Sequence, residues 1–364
     1  MKHHVGCNLL HRLSLINRIW LYSFLLIPSS LASVGSLDAF LASDNSIIAK
    51  GSASGEVSSR VLAGVGYTYT LNENWRARIA YQAFRGSDGS VDTEDIQVYS
   101  NIDSTPFTSL YGLFIEGSVQ DNRLRMKVGQ FDANTEFAFS DIAAGFINSS
   151  MGFSPTITFL PTYPVPTPGL AVFFDISDNL NFSAATFSSE NDRLTSPFFI
   201  SELGYRGADS VFKAGIWQQE LTADVTQSHT SDSFTGGVFI TAEGVLTKHS
   251  SIADTIEWFF QFGASEKAFN PLTRHVGTGL VFHEPAGFQE HSLGVGITHV
   301  TGTHNDDTFG HSKHTDETSV EVYYAITLND HVIVKPDIQY ILSPALAADD
   351  KDVLVATLRI ELSL

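Results

Sequence analysis

Beyond Cys7 the chain has no cysteine. That removes a disulfide framework, a thiolate nucleophile and thiolate metal ligands from the mature protein. Positive charge is scarce: 21 lysine and arginine residues stand against 40 aspartate and glutamate. Nucleic-acid binders display basic faces, so this balance argues against nucleic acid as a partner. After the first 32 residues no stretch approaches the ~20 apolar residues of a membrane-spanning helix. Linkers, low-complexity segments and solenoid-type repeats are also missing, which leaves one domain.

What is present begins with a leader. Residues 1–32 contain Lys2, Arg12 and Arg18 and no acidic side chain. The apolar run 19–27 follows, and Ser30 and Ala32 stand at the −3 and −1 positions of a small-x-small exit. This is the pattern of a cleaved secretory signal peptide, with residues 33–364 as the mature domain. The apolar run is too short for a membrane anchor. Three basic residues leave with the leader, so 18 bases remain against 40 acids and the mature charge is −22.

Hydrophobic residues make up 43% of the chain, yet they mostly alternate with polar ones. Alternation puts apolar side chains on one face of a strand and polar ones on the other. At the C-terminus Leu354, Ala356, Leu358, Ile360, Leu362 and Leu364 oppose Thr357, Arg359, Glu361 and Ser363. Val332, Val334, Pro336, Ile338 and Tyr340 likewise oppose Ile333, Lys335, Asp337 and Gln339. The same pattern recurs over 319–328, 76–83 and 124–128. In a bilayer only helices and closed barrels satisfy every backbone group, so a helix-free chain of this kind predicts an all-β transmembrane antiparallel barrel.

The connections alternate in length. Residues 71–74, Asp121-Asn122, 177–179, 285–290 and Asn329-Asp330 read as tight turns, several rich in Asn and Asp, which tolerate turn geometry. Residues 87–106, 135–168, 302–317 and 343–351 read as long loops. Short periplasmic turns and long extracellular loops are the transmembrane-barrel arrangement. Fifteen strands fit between Arg60 and the C-terminus, and an even count needs one more, expected within 42–51. A barrel of about sixteen strands encloses an aqueous lumen.

The run Lys127-Val128-Gly129-Gln130-Phe131-Asp132-Ala133-Asn134-Thr135-Glu136-Phe137-Ala138 resembles the G-[KQ]-x-D-x-N-x-x-F-A landmark of the carbohydrate-selective porins of the OprB type. The resemblance continues through Tyr99-Ser100-Asn101-Ile102, Phe146-Ile147-Asn148-Ser149-Ser150, Ser154-Pro155-Thr156 and Pro161-Thr162-Tyr163-Pro164. It ends with Glu321-Val322-Tyr323-Tyr324 and the run from Lys335-Pro336-Asp337 to Ser343-Pro344. It implies a sixteen-stranded porin in the Gram-negative outer membrane that passes small, glucose-like sugars by diffusion, with no cofactor. The partners implied are sugars, membrane lipid and the outer-membrane assembly machinery, with a homo-oligomer left open. The chain ends in Leu364, where outer-membrane proteins more often end in Phe.

Weak sugar binding calls for hydrogen-bonding and charged rows on the lumen face and an aromatic ring to stack on the sugar, because pore lining and diameter set selectivity. The water-facing candidates are Arg76, Arg78, Arg125, Lys127, Glu257, Glu321, Lys335, Asp337, Arg359 and Glu361, with Asp132, Asn134 and Glu136 where the strand enters loop 135–168. Alternatively these groups pair across strands and brace the wall. Five prolines stiffen loop 135–168, and its rings Phe146, Phe153, Phe159 and Tyr163 are the constriction candidates; a cap over the extracellular rim is the other reading. His299, His304, His311 and His314 lie near Asp306, Asp307, Asp316 and Glu317, a weak candidate for a divalent ion in an extracellular loop. Enzyme motifs fail: His283-Glu284 with His291 is not HExxH, and Gly152–Pro155 is not a nucleophile elbow. A general diffusion porin with a mild cation preference is the alternative, because surplus acid in external loops would enrich cations at the mouth.

Overall fold

The computed structural model describes residues 35–364 apart from 88, 189–196, 221–233, 267–269, 304–314 and 349–350. Alternating apolar and polar side chains give many segments one lipid face and one polar face, and the backbone follows that period as strands. They are β1 (Gly35–Lys50), β2 (Val57–Thr70), β3 (Trp75–Gly86), β4 (Phe107–Val119), β5 (Leu124–Gln130), β6 (Pro168–Asp175), β7 (Leu180–Phe187) and β8 (Phe198–Arg206). There follow β9 (Ser210–Glu220), β10 (Phe234–Lys248), β11 (Thr255–Ser265), β12 (Leu272–His283), β13 (His291–Gly302), β14 (Asp316–Asn329), β15 (Val332–Leu342) and β16 (Val353–Ser363). Each pairs antiparallel with the next, and β1 pairs with β16 to close the barrel. Sixteen strands thus stand among the described residues. The first begins at Gly35, ahead of the 42–51 window, because its early residues pair with β2 through Gly35↔Tyr69.

Outward positions of β15 and β16 include Ile338, Leu342, Leu358 and Leu362, all exposed to the lipid side. Their inward neighbours Asp337, Gln339, Thr357 and Arg359 are buried. The tight turns carry left-handed backbone at Gln120, Asp121 and Asn122, a conformation that Asn and Asp enter more easily than most residues. Among the described residues no helix is long and apolar enough to cross a membrane.

A sixteen-stranded wall encloses more space than its own side chains fill, and here loops fill much of it. Gly129, at φ 129°, leaves no room for a Cβ against Leu113 and Phe114 on β4; there, just ahead of loop 131–167, only glycine fits. From the loop, Phe131, Phe137, Ile157 and Leu160 bury against inward Phe187, Phe198, Ile200, Trp217 and Phe239 of β7–β10. Further along, Phe146 and Met151 pack on Phe259, Val281 and Tyr323. From loop 87–106, Tyr99 is buried with Ile48, Ile341, Val353 and Val355. The lumen therefore holds hydrophobic cores of its own, and only part of the wall remains wet.

Ile338, 54% exposed near the middle of β15, is placed to test the facing. Ile338→Arg is expected to destabilise the barrel by about 2–4 kcal/mol, the range for a basic side chain at the lipid midplane. Equilibrium unfolding in lipid vesicles measures it; an unchanged stability would mean that this face does not meet lipid.

Candidate functional site

Irregular backbone inside a barrel has N–H and C=O groups that still require partners. The wall supplies them from inward carboxylates. Glu202 on β8 accepts the Ala138 N–H at 3.0 Å. Glu243 on β10 accepts the Ser140 hydroxyl at 2.5 Å and the Ile142 N–H at 3.1 Å. Glu321 on β14 accepts the N–H groups of Ile147 and Asn148 at 2.6 and 3.0 Å. Glu317 accepts those of Ile96 and Gln97 from loop 87–106 and of Ala345 from loop 343–352, at 2.9–3.0 Å. Donors on the wall complete the set: Gln261 reaches the Met151 carbonyl at 2.7 Å, Lys213 the Phe139 carbonyl at 2.9 Å and Lys335 the Gly145 carbonyl at 3.0 Å. Loop 131–167 is held inside the lumen along most of its course. It is not a cap over the rim.

Most of the charged wall that meets water lies on β1–β5, where Arg76, Arg78 and Arg125 are partly exposed while Glu116 and Lys127 are buried beside them. Arg76, with 60% of its side chain exposed, pairs with Glu116 at 2.5 Å. Arg78 grips Asp38 through both nitrogens at 2.6 and 2.7 Å. Arg125 bridges Glu116 and Glu136 and lies 3.6 Å from the centroid of Phe173. Lys127 donates to Glu136 at 2.8 Å and sits over Phe114. Burial alone would raise the Glu136 carboxyl, but the hydrogen bond from Arg125 and the charge of Lys127 outweigh it, and the group sits below the ordinary carboxylate range. Asp132 bonds the Tyr111 hydroxyl and accepts the Asn134 N–H at 2.8 Å. Asn134 also donates to the Phe137 carbonyl at 3.3 Å, closing the turn that starts the loop.

The remaining candidates are placed differently. Arg359 is buried and forks onto Asp44 of β1 at 2.7 and 2.8 Å, with a third bond to Asn101 of loop 87–106. Lys335 and Asp337 are covered; Lys335 reaches Glu361 at 3.4 Å, and Asp337 accepts from Gln339 at 3.1 Å. With Glu321, Lys335 and Arg359 brace loops directly, and Asp337 acts through Gln339, which donates to the Tyr99 carbonyl at 2.7 Å. Glu257 pairs with His283 at 2.7 Å on the partly open wall of β11 and β12. Among the aromatic candidates, Phe146 is 1% exposed between Phe259 and Tyr323, so its face is not offered to a solute. Phe153 and Phe159 are partly buried against the same apolar mass that covers Trp217. Tyr163 bonds the Ile102 carbonyl at 2.8 Å and packs edge-on to Phe107.

The histidine cluster is corrected in part. His299 is on β13, facing out, 2.8 Å from the Thr318 hydroxyl. Glu317, read as loop, is an inward strand residue occupied by three backbone donors. His304, His311, His314, Asp306 and Asp307 lie outside the described residues. Among those described, no three metal-ligating side chains come together. Sequence reasoning missed Asp38, Asp44, Glu202, Glu243 and Gln97. For Glu202 and Glu243 the signal available was an acid at an inward position of a largely apolar strand; β1, with Ser36, Ser43, Asn45 and Ser46 around Asp38 and Asp44, offered no such contrast.

Two outcomes follow. Removing the Glu321 carboxylate strands two buried N–H groups, each at about 1–3 kcal/mol. Glu321→Ala is therefore expected to loosen loop 131–167, seen as larger and noisier single-channel conductance and faster proteolysis within the loop. The second concerns Asp95 of loop 87–106, which bonds Thr93 through one oxygen while Oδ2 has no partner among the described residues. Burial, and secondarily the Glu317 charge, push its carboxyl up to about 7. A raised folded value means that stability is full below the unfolded value and is lost as pH rises through the folded one, here between roughly pH 4 and 7. The thermal midpoint is expected to fall across that window and to fall less in Asp95→Asn.

The comparisons agree with this geometry. A family model described as the carbohydrate-selective porin, OprB family, matches residues 76–231 and 205–364. No curated protein matches the sequence. The high-pH structure of Pseudomonas putida OprB is similar with a TM-score of 0.78 at 16% identity, covering 92% of this chain and 95% of that one. The anion-selective porin from Comamonas acidovorans is similar with a TM-score of 0.58 at 9% identity, covering 91% and 99%. At such identities these likenesses are of fold, and the family match carries the assignment. With its closed sixteen-stranded wall, its loops tied inside the lumen and a family match across most of its length, the chain belongs to the carbohydrate-selective porins of the OprB family, channels of the Gram-negative outer membrane.

Proposed function

We propose that this porin passes neutral sugars of about glucose size, after export and removal of residues 1–32. One observation supports this most: the arginines that front the water are paired. Arg76, Arg78 and Arg125 each lie beside a carboxylate, from Glu116, Asp38 and Glu136 respectively. Paired charges offer strong donors and acceptors at close range while their far fields largely cancel. Such a wall favours a solute with many hydroxyls over an ion, which gains from unbalanced charge. On this reading the working partners are the sugar, the surrounding lipid and the assembly machinery during insertion; crosslinking in native membranes reads out any homo-oligomer.

Single-channel recording in planar bilayers with glucose, maltose and sucrose tests the proposal. Saturable block by glucose with a reversal potential near zero in a salt gradient is expected. Steady conductance with a cation-selective reversal potential would favour the general porin instead, driven by the −22 mature charge.

A further inference from the structure

The lumen wall on β1–β4 carries a feature that loop bracing does not use. Phe40 points inward and is 37% exposed. The inward rings that carry the apolar cores, including Phe84, Phe187, Phe198, Phe239 and Phe259, are nearly or fully covered. Leaving an aromatic ring in water forfeits the burial that the others gain, so Phe40 is a surface without a protein partner for its open face. It borders a recess of about 230 Å³ between the wall and the start of loop 131–167, shared with Arg78, Gln82, Tyr111, Asp132 and Thr135.

Two glycines shape the floor. On β2, Gly64 is paired with Phe40 and Gly66 with Asp38. A Cβ at Gly64 would overlap the Phe40 ring, and one at Gly66 would overlap the Arg78 guanidinium. Both groups therefore lie across a bare strand, the ring beside the guanidinium. Arg78 is fixed there by both oxygens of Asp38 and by Thr68 at 2.9 Å. On the far side of Gly64, paired with it on β3, stands Gln82. Its Oε1 is buried and has no hydrogen-bond donor among the described residues. Phe40 and Gln82 are thus two strand spacings apart, roughly 9.6 Å along the wall.

We propose that Phe40, Arg78 and Gln82 form a pyranose subsite, with the C–H face of the sugar on the Phe40 ring and its hydroxyls bonded to the Arg78–Asp38 pair and to Gln82. The inference rests on the small-sugar reading and deepens it. The ring requires a ligand with a rigid apolar face, the fixed guanidinium offers donors, and the Gln82 side chain borders the recess with an amide oxygen that no protein donor satisfies. A hydrated ion uses none of the ring, and an acyl chain uses none of the polar groups. A pyranose with equatorial hydroxyls matches all three at once. Phe40 and Gln82 set specificity here, while Asp38, Gly64 and Gly66 are positioning residues.

Block of single-channel current by glucose, compared with block by mannitol, tests it. Mannitol is an acyclic polyol with hydroxyls but no rigid C–H face. For the unmodified channel, glucose is expected to block at lower concentration than mannitol. Phe40→Ala is expected to raise the half-blocking glucose concentration about tenfold, or ~1.4 kcal/mol, and to shift mannitol by less than about twofold. Phe40→Tyr keeps the ring and is expected to restore the glucose value. An open-channel conductance near that of the parent verifies that each variant is folded. Unchanged glucose block in Phe40→Ala, or an equal shift for both polyols, overturns the subsite and leaves the sugar channel standing. Absence of glucose block in the unmodified channel overturns the small-sugar reading and the subsite with it.

Discussion

Everything inside this barrel depends on carboxylates that accept backbone N–H groups. A loop without regular structure can lie in a lumen only if its amides are satisfied, and an ionised carboxylate makes a stronger bond to them than a neutral acceptor does. Glu202, Glu243, Glu321 and Glu317 are spread over three strands and hold three separate loops. Because each is attached to a hydrogen-bonded wall, the loops inherit the rigidity of the sheet. The acidic excess of the chain, which looks at first like a field for ions, is in part consumed as internal fastening.

The apolar side of the same construction is equally specific. Where loop 131–167 crosses β7–β10, the wall presents rings instead of polar groups, and the loop answers with Phe131, Phe137, Ile157 and Leu160. Where no loop covers it, over the parts of β1–β5 that hold Asp38, Arg76 and Arg78, the wall carries arginine–carboxylate pairs, while loop 87–106 covers Ile48, Leu62 and Phe84 on the same strands. The boundary between the two regimes marks the edge of the water path. Lys127 and Arg125 stand on that edge, their charges bonded to Glu136 and their cationic heads over Phe114 and Phe173.

Much of this was legible before any coordinates. The outward rows of β14–β16 follow strict alternation, and most of the tight turns fall where Asn and Asp cluster. The limits have physical causes. The start of β1 was hard to place because Gly35–Ala42 mixes small and polar residues with few outward apolar ones, and its extent is set by pairing with β2. The bracing role of Lys335, Asp337 and Arg359 could not be read from alternation, which separates inward from outward but not wet from covered. One signal was present: Phe198-Phe199-Ile200 and Trp258-Phe259-Phe260 are apolar on both faces, as strands buried on both sides are. Phe40 was missed because its exposure depends on two glycines of the neighbouring strand.

The ion pair between Asp44 and Arg359 joins residues 315 positions apart across the seam where the barrel closes, and the same guanidinium holds Asn101 of loop 87–106. Contacts of such separation form late, because the chain entropy between their ends must be lost first. The first strand has to wait for the last. Until then Arg359 lacks its partner, and loop 87–106 lacks one of its moorings. The aperture is therefore completed by the same event that seals the wall, so an unfinished barrel has no finished pore.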